Sequence, residues 1–387
     1  MITQKKNKLS DICNYTTSRT SRIENYISTE NMLPNKGGVC APSNVPSGTA
    51  IEYKVGDILI SNIRPYFQKI WQADCKGACS ADVLCIRPND KADSKYLYYS
   101  LSQQLFFDYV MSGAKGSKMP RGDKKQIMQW QISLPPLEEQ RRIAGILSAI
   151  DDKIENNRRI NTNLELQAQA LFEEWLCKVN TIKGTFNDII DATLAGDWGQ
   201  ETLQGNYTHE VYCIRGADIP ALRNGDKGKM PIRYILERNY FVKQLRANDI
   251  VVEISGGSPT QSTGRVCMIT KSLLDRLGKD VVCTNFCRAI TPKSGYAIFI
   301  FLYWQMLYNK NTMFSYENGT TGIKNLNIAD LISKEPINVP KQEDVDKLNV
   351  VLQPIYDQIY ANGLQNETLA TLRDTLLPKL MNGEIKL

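Results

Sequence analysis

The sequence predicts a mixed α/β (α+β) fold: two pseudo-symmetric globular units joined by two long helices packed as an antiparallel coiled coil. Three observations lead there. An apolar seam spaced alternately four and three residues apart runs from Ile143 to Trp175, directly after Pro135-Pro136. A second seam of the same spacing runs from Leu348 to Leu380, shifted by 205 residues. The blocks ahead of each helix also resemble one another, in the same order. A 4-3 spacing over four heptads signals a coiled-coil helix, and self-similarity at a fixed shift signals repeated architecture.

Taken in order, residues 1–135 form the first globular unit, 136–178 the first long helix, 179–340 the second unit and 341–387 the second helix. "GDILIS" at Gly56 resembles "NDIVVE" at Asn248, and "CSADVLCIRP" ending at Pro88 resembles "CTNFCRAITP" ending at Pro292. Each pair reads as apolar β-structure. An aromatic helical segment follows in both units, "YLYYSLSQQLFFDYV" from Tyr96 and "YAIFIFLYWQMLY" from Tyr296. Each unit then passes through a polar, glycine-containing loop, "SGAKGSKMPRGDKK" or "ENGTTGIKNLN". The second copy carries about a dozen extra residues between its first two blocks.

The first helix begins with Glu138 and Glu139, negative charges that suit a helix N-terminus. At 1.5 Å per residue it runs ~60 Å, and it needs a partner of similar length to bury its seam. The second helix supplies one. Asparagines interrupt each seam at matched places, Asn157 and Asn161 in the first, Asn362 and Asn366 in the second. Antiparallel pairing makes these four meet, and a polar layer inside an apolar seam fixes register at some cost in stability.

Composition narrows the function. The 387 residues are 42% hydrophobic and 23% charged. The opening "MITQKKNKLSDICNYTTSRTS" lacks the apolar core of a secretory signal, and the longest apolar run, from Tyr296, falls short of a membrane span. Ten cysteines and one histidine give no disulfide scaffold and no tight zinc set. The C-x3-C pairs Cys75/Cys79 and Cys283/Cys287 lie in apolar surroundings and read as reduced core cysteines, so the chain is expected to be cytoplasmic. The four segments carry net charges of +7, -2, +3 and -2 in chain order. Basic globular parts suit a polyanion. No phosphate-binding or dinucleotide-binding loop is present, and His209 alone cannot build a hydrolytic triad. The tail "GEIKL" has Glu384-x-Lys386 without the further carboxylates of a nuclease centre. No catalytic residue is assigned and no metal site is expected.

"LPPLEEQRRIAGILSAIDDKIENNRRINTNLELQAQALFEEWL", residues 134–176, resembles the central region of specificity subunits of type I restriction–modification systems. "LRDTLLPKLMNGEI", residues 372–385, resembles the end of the same subunits. The resemblance implies a non-catalytic subunit with two target-recognition domains, each reading one half of a bipartite double-stranded DNA target. It implies that the helices set the spacing between halves and dock two modification subunits, methyltransferases of adenine that use S-adenosylmethionine. Restriction subunits, which use ATP and Mg for translocation and cleavage, complete the complex. No cofactor belongs to this chain. Half-sites read from one face of a duplex lie about a helical turn, ~34 Å, apart.

Base reading needs polar side chains at base edges and Lys, Arg or backbone amides at phosphates. The polar loops that recur in both units supply them. In the first unit these are Ser61, Asn62, Arg64 and Tyr66, with Lys115, Ser117, Lys118, Arg121 and Lys124; Arg19 and Arg22 add a basic segment. In the second they are Ser255, Ser258, Thr260, Gln261 and Arg265, with Thr320, Thr321, Lys324 and Asn325. Such loops also arise for backbone reasons alone. The alternative is an adaptor whose coiled coil joins two interaction domains without reading DNA; a nuclease or methyltransferase with degenerate motifs is a further one.

Overall fold

The apolar periodicity after Pro135-Pro136 becomes one uninterrupted helix, Leu137–Lys178, and its counterpart becomes Gln342–Met381. They belong to a computed structural model that describes residues 6–258, 260–319, 324–385 and 387. The first has 42 residues and is therefore ~63 Å long. Glu138 and Glu139 occupy its first turn, as Glu343 and Asp344 do in the second. The chain groups into two compact units, Met1–Asp152 with Leu369–Leu387, and Lys153–Thr368. This grouping departs from four successive segments because each long helix contributes one portion of its apolar face to each globular core.

In the first unit the apolar stretch of "GDILIS" forms the strand Ile58–Ser61, buried on both faces. It sits inside an antiparallel sheet ordered Cys13–Tyr15, Val83–Pro88, Ile58–Ser61, Ile70–Gln72. The aromatic segment from Tyr96 divides into two helices, Ser94–Leu101 and Gln104–Ser112. The break falls at Ser102, whose Oγ donates to the Tyr98 carbonyl at 2.7 Å, a local bond that competes with helix continuation. Tyr96, Leu97, Phe106 and Phe107 cover the sheet, and the same core takes in Ile143 and Leu147 from one long helix and Leu377 and Leu380 from the other.

The second unit repeats the plan. Its antiparallel sheet is ordered Ile190–Ala195, Cys287–Pro292, Ile250–Glu253, Val266–Met268. Each unit also pairs its first strand with the one just before its long helix, Lys6–Lys8 with Gln131–Ser133 and Thr181–Gly184 with Ile337–Pro340. The apolar run from Tyr296 is a single helix, Ala297–Asn309, buried through Leu307. It packs with Ala168 and Phe172 of one long helix and Leu348, Leu352 and Ile359 of the other. The smaller sheets differ. Arg19–Thr20, Ala50–Tyr53 and Gly77–Cys79 are all antiparallel, whereas Tyr207–Ile214 pairs parallel with Val281–Cys283. The added residues of the second unit include the helix Lys271–Leu277.

Within the second unit the long helices meet through their asparagines. Asn157 Nδ2 donates to Asn366 Oδ1 at 2.8 Å, and Asn362 Nδ2 donates to Asn161 Oδ1 at 2.7 Å. Asn161 Nδ2 donates in turn to the Ile359 and Asn224 carbonyls. Rising numbers on one helix meet falling numbers on the other, so the two run antiparallel here. All four asparagines are buried. Elsewhere the seam departs from a strict heptad. Phe172 is fully buried while Leu171 is 36% exposed, and Tyr356 and Leu377 are buried more deeply than Ile355 and Leu376. A helix of 3.6 residues per turn drifts ~20° per heptad from a 3.5-residue repeat, so the buried stripe moves by one position toward the ends.

The ten cysteines are all free; Cys79, Cys283 and Cys287 are buried, Cys75 is half-buried, and Cys40 and Cys177 are exposed. His209 bonds Asp280 at 2.8 Å and stacks on Tyr240 at 4.0 Å. Among the described residues no helix is long and apolar enough to cross a membrane.

Asn157→Leu strands the buried Asn366 amide and costs about 1–3 kcal/mol. Asn157→Leu with Asn366→Leu loses less than the sum of the single losses, by at least ~0.5 kcal/mol, in urea unfolding. Additive losses would show that the two asparagines do not act as a pair.

Candidate nucleic-acid interface

Where the strand Ile58–Ser61 ends, the backbone turns outward and is gripped by two other segments. Asn62 N donates to the Asp82 carbonyl at 2.9 Å, Gly122 N to the Asn62 carbonyl at 3.2 Å, and Arg64 N to the Pro120 carbonyl at 2.8 Å. Ile63 bridges Arg121, which exchanges two backbone bonds with Lys115, both 2.9 Å. The two polar loops singled out in this unit are thus one surface. A Cβ at Gly122 would lie 2.8 Å from Val110 and 3.0 Å from Asn62 Oδ1, so the close approach needs glycine. Lys115, Ser117, Lys118, Arg121 and Lys124 are exposed around it, with Tyr66. The loop ends on Asp123, whose carboxyl the backbone N–H groups of Gln126 and Lys125 hold below the ordinary aspartate range.

The same place stores strain. Arg64 and Gln68 are left-handed, with φ of 50° and 51°, as are Asn35 and Lys36 at 56° and 60°. Asn35 N and Lys36 N donate to the Phe67 and Gln68 carbonyls, so all four belong to one cluster. Each such residue costs on the order of 1–2 kcal/mol, and strain of this kind gathers at binding sites. Among the described residues, Asn62 Oδ1 and Arg64 Nε are also buried without a hydrogen-bond partner, a desolvation cost that this arrangement carries.

The second unit builds the corresponding surface from equivalent positions. Ile254 N donates to the Phe286 carbonyl at 2.9 Å and Leu326 N to the Ile254 carbonyl at 2.8 Å. Ser255 pairs with Asn325, which pairs with Asn318, and Ser255 Oγ bonds Asn325 Oδ1. Both loops of this unit are again joined. Ser258 caps its own turn, its Oγ accepting from Gln261 N at 3.0 Å, and the carbonyls of Gly264 and Ser262 accept from Trp304 Nε1 and Tyr308 Oη. Two basic residues are already engaged. Arg265 makes two bonds, 2.7 and 2.6 Å, to the buried Glu253, which pushes its pKa further up. Lys324 lies 2.9 Å from Glu317 and over the Phe314 ring. Burial opposes charge on Glu317, but the Thr263 N–H and hydroxyl and the Lys324 ammonium hold its carboxyl below the usual glutamate range.

Two predicted residues join neither surface through a described bond: Arg19 is exposed on the small sheet, and Arg22 is paired with Glu24 at 2.9 Å. Thr320 and Thr321 lie outside the described residues. Sequence reasoning missed Asn35, Lys36, Asp82 and Phe286. The last two were within reach, because the 204-residue shift that aligns Pro88 with Pro292 also aligns 82 with 286. Among the described residues no group of three or more His, Cys, Asp or Glu is placed to hold a metal ion.

A family model described as the type I restriction modification DNA specificity domain matches residues 2–166. The chain is 27% identical over 319 residues to the MjaIX specificity subunit of a type I restriction enzyme from Methanocaldococcus jannaschii, covering 78% of this chain and 71% of that one. It is 24% identical over 434 residues to the HindI specificity subunit from Haemophilus influenzae, covering 93% and 94%. Among solved structures, the S subunit of a type I restriction–modification system from M. genitalium shares the fold, with a TM-score of 0.51, 16% identity and coverage of 97% and 96%.

Stability contributed by Glu317 is complete above the ordinary glutamate value of 4.5 and is lost as pH falls through its lowered folded-state pKa. Glu317→Gln is therefore expected to cost about 1–2 kcal/mol at neutral pH, a deficit that shrinks on acidification. Unfolding free energies of both proteins across the acid range check it; a deficit independent of pH would assign the loss to packing.

Proposed function

We propose that this chain, which is similar to specificity subunits of type I restriction–modification systems, is such a subunit, and that its two units each read one half of a bipartite duplex target through the loop surfaces described above. The observation that carries this is the recurrence of one backbone arrangement, at equivalent positions, beneath two different sets of polar side chains. A shared scaffold with different side chains is what two readers of different half-sequences need. In the first unit Arg64 and Arg121 reach base edges over the buried support of Asn62, while Lys115, Ser117, Lys118, Lys124 and Tyr66 hold the backbone, with Arg19 and Arg22 at the margin. In the second, Ser255, Ser258, Thr260, Gln261 and Asn325 read, and Arg265 and Lys324 stiffen the surface through their carboxylate partners.

The domains are residues 1–135 and 179–340, and the helices over 136–178 and 341–387 act as a coiled-coil spacer that sets the gap between half-sites. The spacer docks two modification subunits that methylate adenine with S-adenosylmethionine; restriction subunits using ATP and Mg join them. This chain is itself non-catalytic and works in the cytoplasm. An adaptor role without sequence reading would require equal affinity for all duplexes, whereas a reader prefers one sequence with a steep salt dependence.

Exchanging residues 1–135 for those of a relative is expected to change one half of the methylated sequence only, as read by methylation mapping of the assembled complex. A change in both halves, or in neither, would overturn the two-reader reading. Inserting four residues into each long helix, ~6 Å of added length per helix, lengthens the preferred gap and leaves both halves intact. An unaltered gap would remove the helices from the spacing role.

A further inference from the structure

The matched backbone bonds make positions in the two units comparable one to one. Asn62 corresponds to Ile254, Ile63 to Ser255, Asp82 to Phe286, Arg121 to Asn325 and Gly122 to Leu326, because each pair makes the same backbone contacts. Gly122 and Leu326 are buried and shape the support. The side chains that face outward are those at 121/325 and 82/286, and there the units differ most in chemistry.

In the first unit Asp82 Oδ1 lies 3.2 Å from an Arg121 guanidinium nitrogen, with side chains 38% and 57% exposed. An ion pair so exposed contributes little to stability. It does aim a planar five-donor group, and it leaves donors of that group free for a second partner. In the second unit the carboxylate is replaced by the Phe286 ring, 59% exposed. The Phe286 backbone is fixed, its carbonyl accepting from Ile254 N and Ser255 N and its own N–H donating to Thr284 Oγ1. The ring thus stands in solvent on a rigid support that Ser255 links to Asn325, since Ser255 N bonds the Phe286 carbonyl and Ser255 pairs with Asn325, whose amide it steadies.

We propose that Asp82 and Phe286 are specificity-determining residues, one for each half of the target, acting with Arg121 and Asn325 respectively. Asp82 orients Arg121 to present two donors to O6 and N7 of a guanine in the major groove. Phe286 offers an apolar surface to a thymine methyl while Asn325 bonds the edge of an adenine, so the second unit selects an A·T-containing step at the equivalent place. This inference rests on the reading of these surfaces as DNA-reading.

The test uses the chain assembled with its modification subunits and a library of duplexes randomised through both half-sites, with methylated products sequenced. Phe286→Leu, which keeps an apolar side chain, and Phe286→Ala are expected to lower discrimination at one base pair of the second unit's half, by about 5- to 100-fold for the alanine variant. The first unit's half, affinity for random duplex and the midpoint of thermal unfolding should not move. Asp82→Ala is expected to relax a guanine position in the other half alone. Asp82→Phe with Arg121→Asn should shift that position toward A·T.

Unchanged base preference in variants that still assemble and methylate would overturn the proposal. Equal loss on all duplexes would also overturn it, since that marks a backbone or phosphate role. The two levels separate cleanly. If exchange of residues 1–135 moves one half while these variants move nothing, the readers lie elsewhere on the loops; if that exchange moves neither half, the reading itself fails.

Discussion

Apolar surface on a long helix must be covered, and here that requirement organises the chain. The seam of Leu137–Lys178 cannot be buried by the helix itself. Ile143 and Leu147 go into the first unit's core and Ala168 and Phe172 into the second's. The second helix is divided likewise, with Leu348, Leu352 and Ile359 in one core and Leu377 and Leu380 in the other. Neither sheet-and-helix layer closes on residues of its own stretch alone. The polar layer of Asn157, Asn161, Asn362 and Asn366 adds what apolar contact lacks, because amides bond only in particular alignments whereas leucines tolerate slippage.

Much of this was legible in the residues. The 4-3 spacing located both helices, and the 205-residue shift predicted that the asparagines would meet, since a match in sequence under antiparallel pairing is a match in space. The seam's ends were misjudged: a heptad template assumes a helix following only its partner, but Phe172, Tyr356 and Leu377 respond to globular cores as well. The break at Ser102 was missed because an apolar periodic pattern does not register one serine hydroxyl competing for a carbonyl. The loops were legible as polar recurrences. Their joining was not, since it depends on backbone bonds such as Gly122 to Asn62, which leave no trace in side-chain pattern.

Backbone and side chains divide the work at these surfaces. The backbone repeats: the same strand end, gripped by the same two segments, in units whose smaller sheets differ in direction. Side chains do not repeat, and charge is handled differently. The first unit leaves Lys115, Lys118 and Lys124 exposed, while the second ties Arg265 and Lys324 to the buried carboxylates of Glu253 and Glu317. Left-handed Arg64 and Gln68 show the cost of the first arrangement, because neither has glycine's freedom in that region.

The placement of Leu377 and Leu380 in the first unit's core bears on the order of events during translation. Residues up to Asp152 leave the ribosome before Lys153–Thr368, yet their core lacks two of its leucines until Leu377 and Leu380 follow. At roughly 5–20 residues per second that interval lasts about ten to forty seconds. Over the same period the second unit's stretch, Lys153–Thr368, is completed without interruption. The unit begun earlier is therefore completed after the later one, and nascent chains pass through a stage in which the earlier sheet stands with part of its apolar face uncovered.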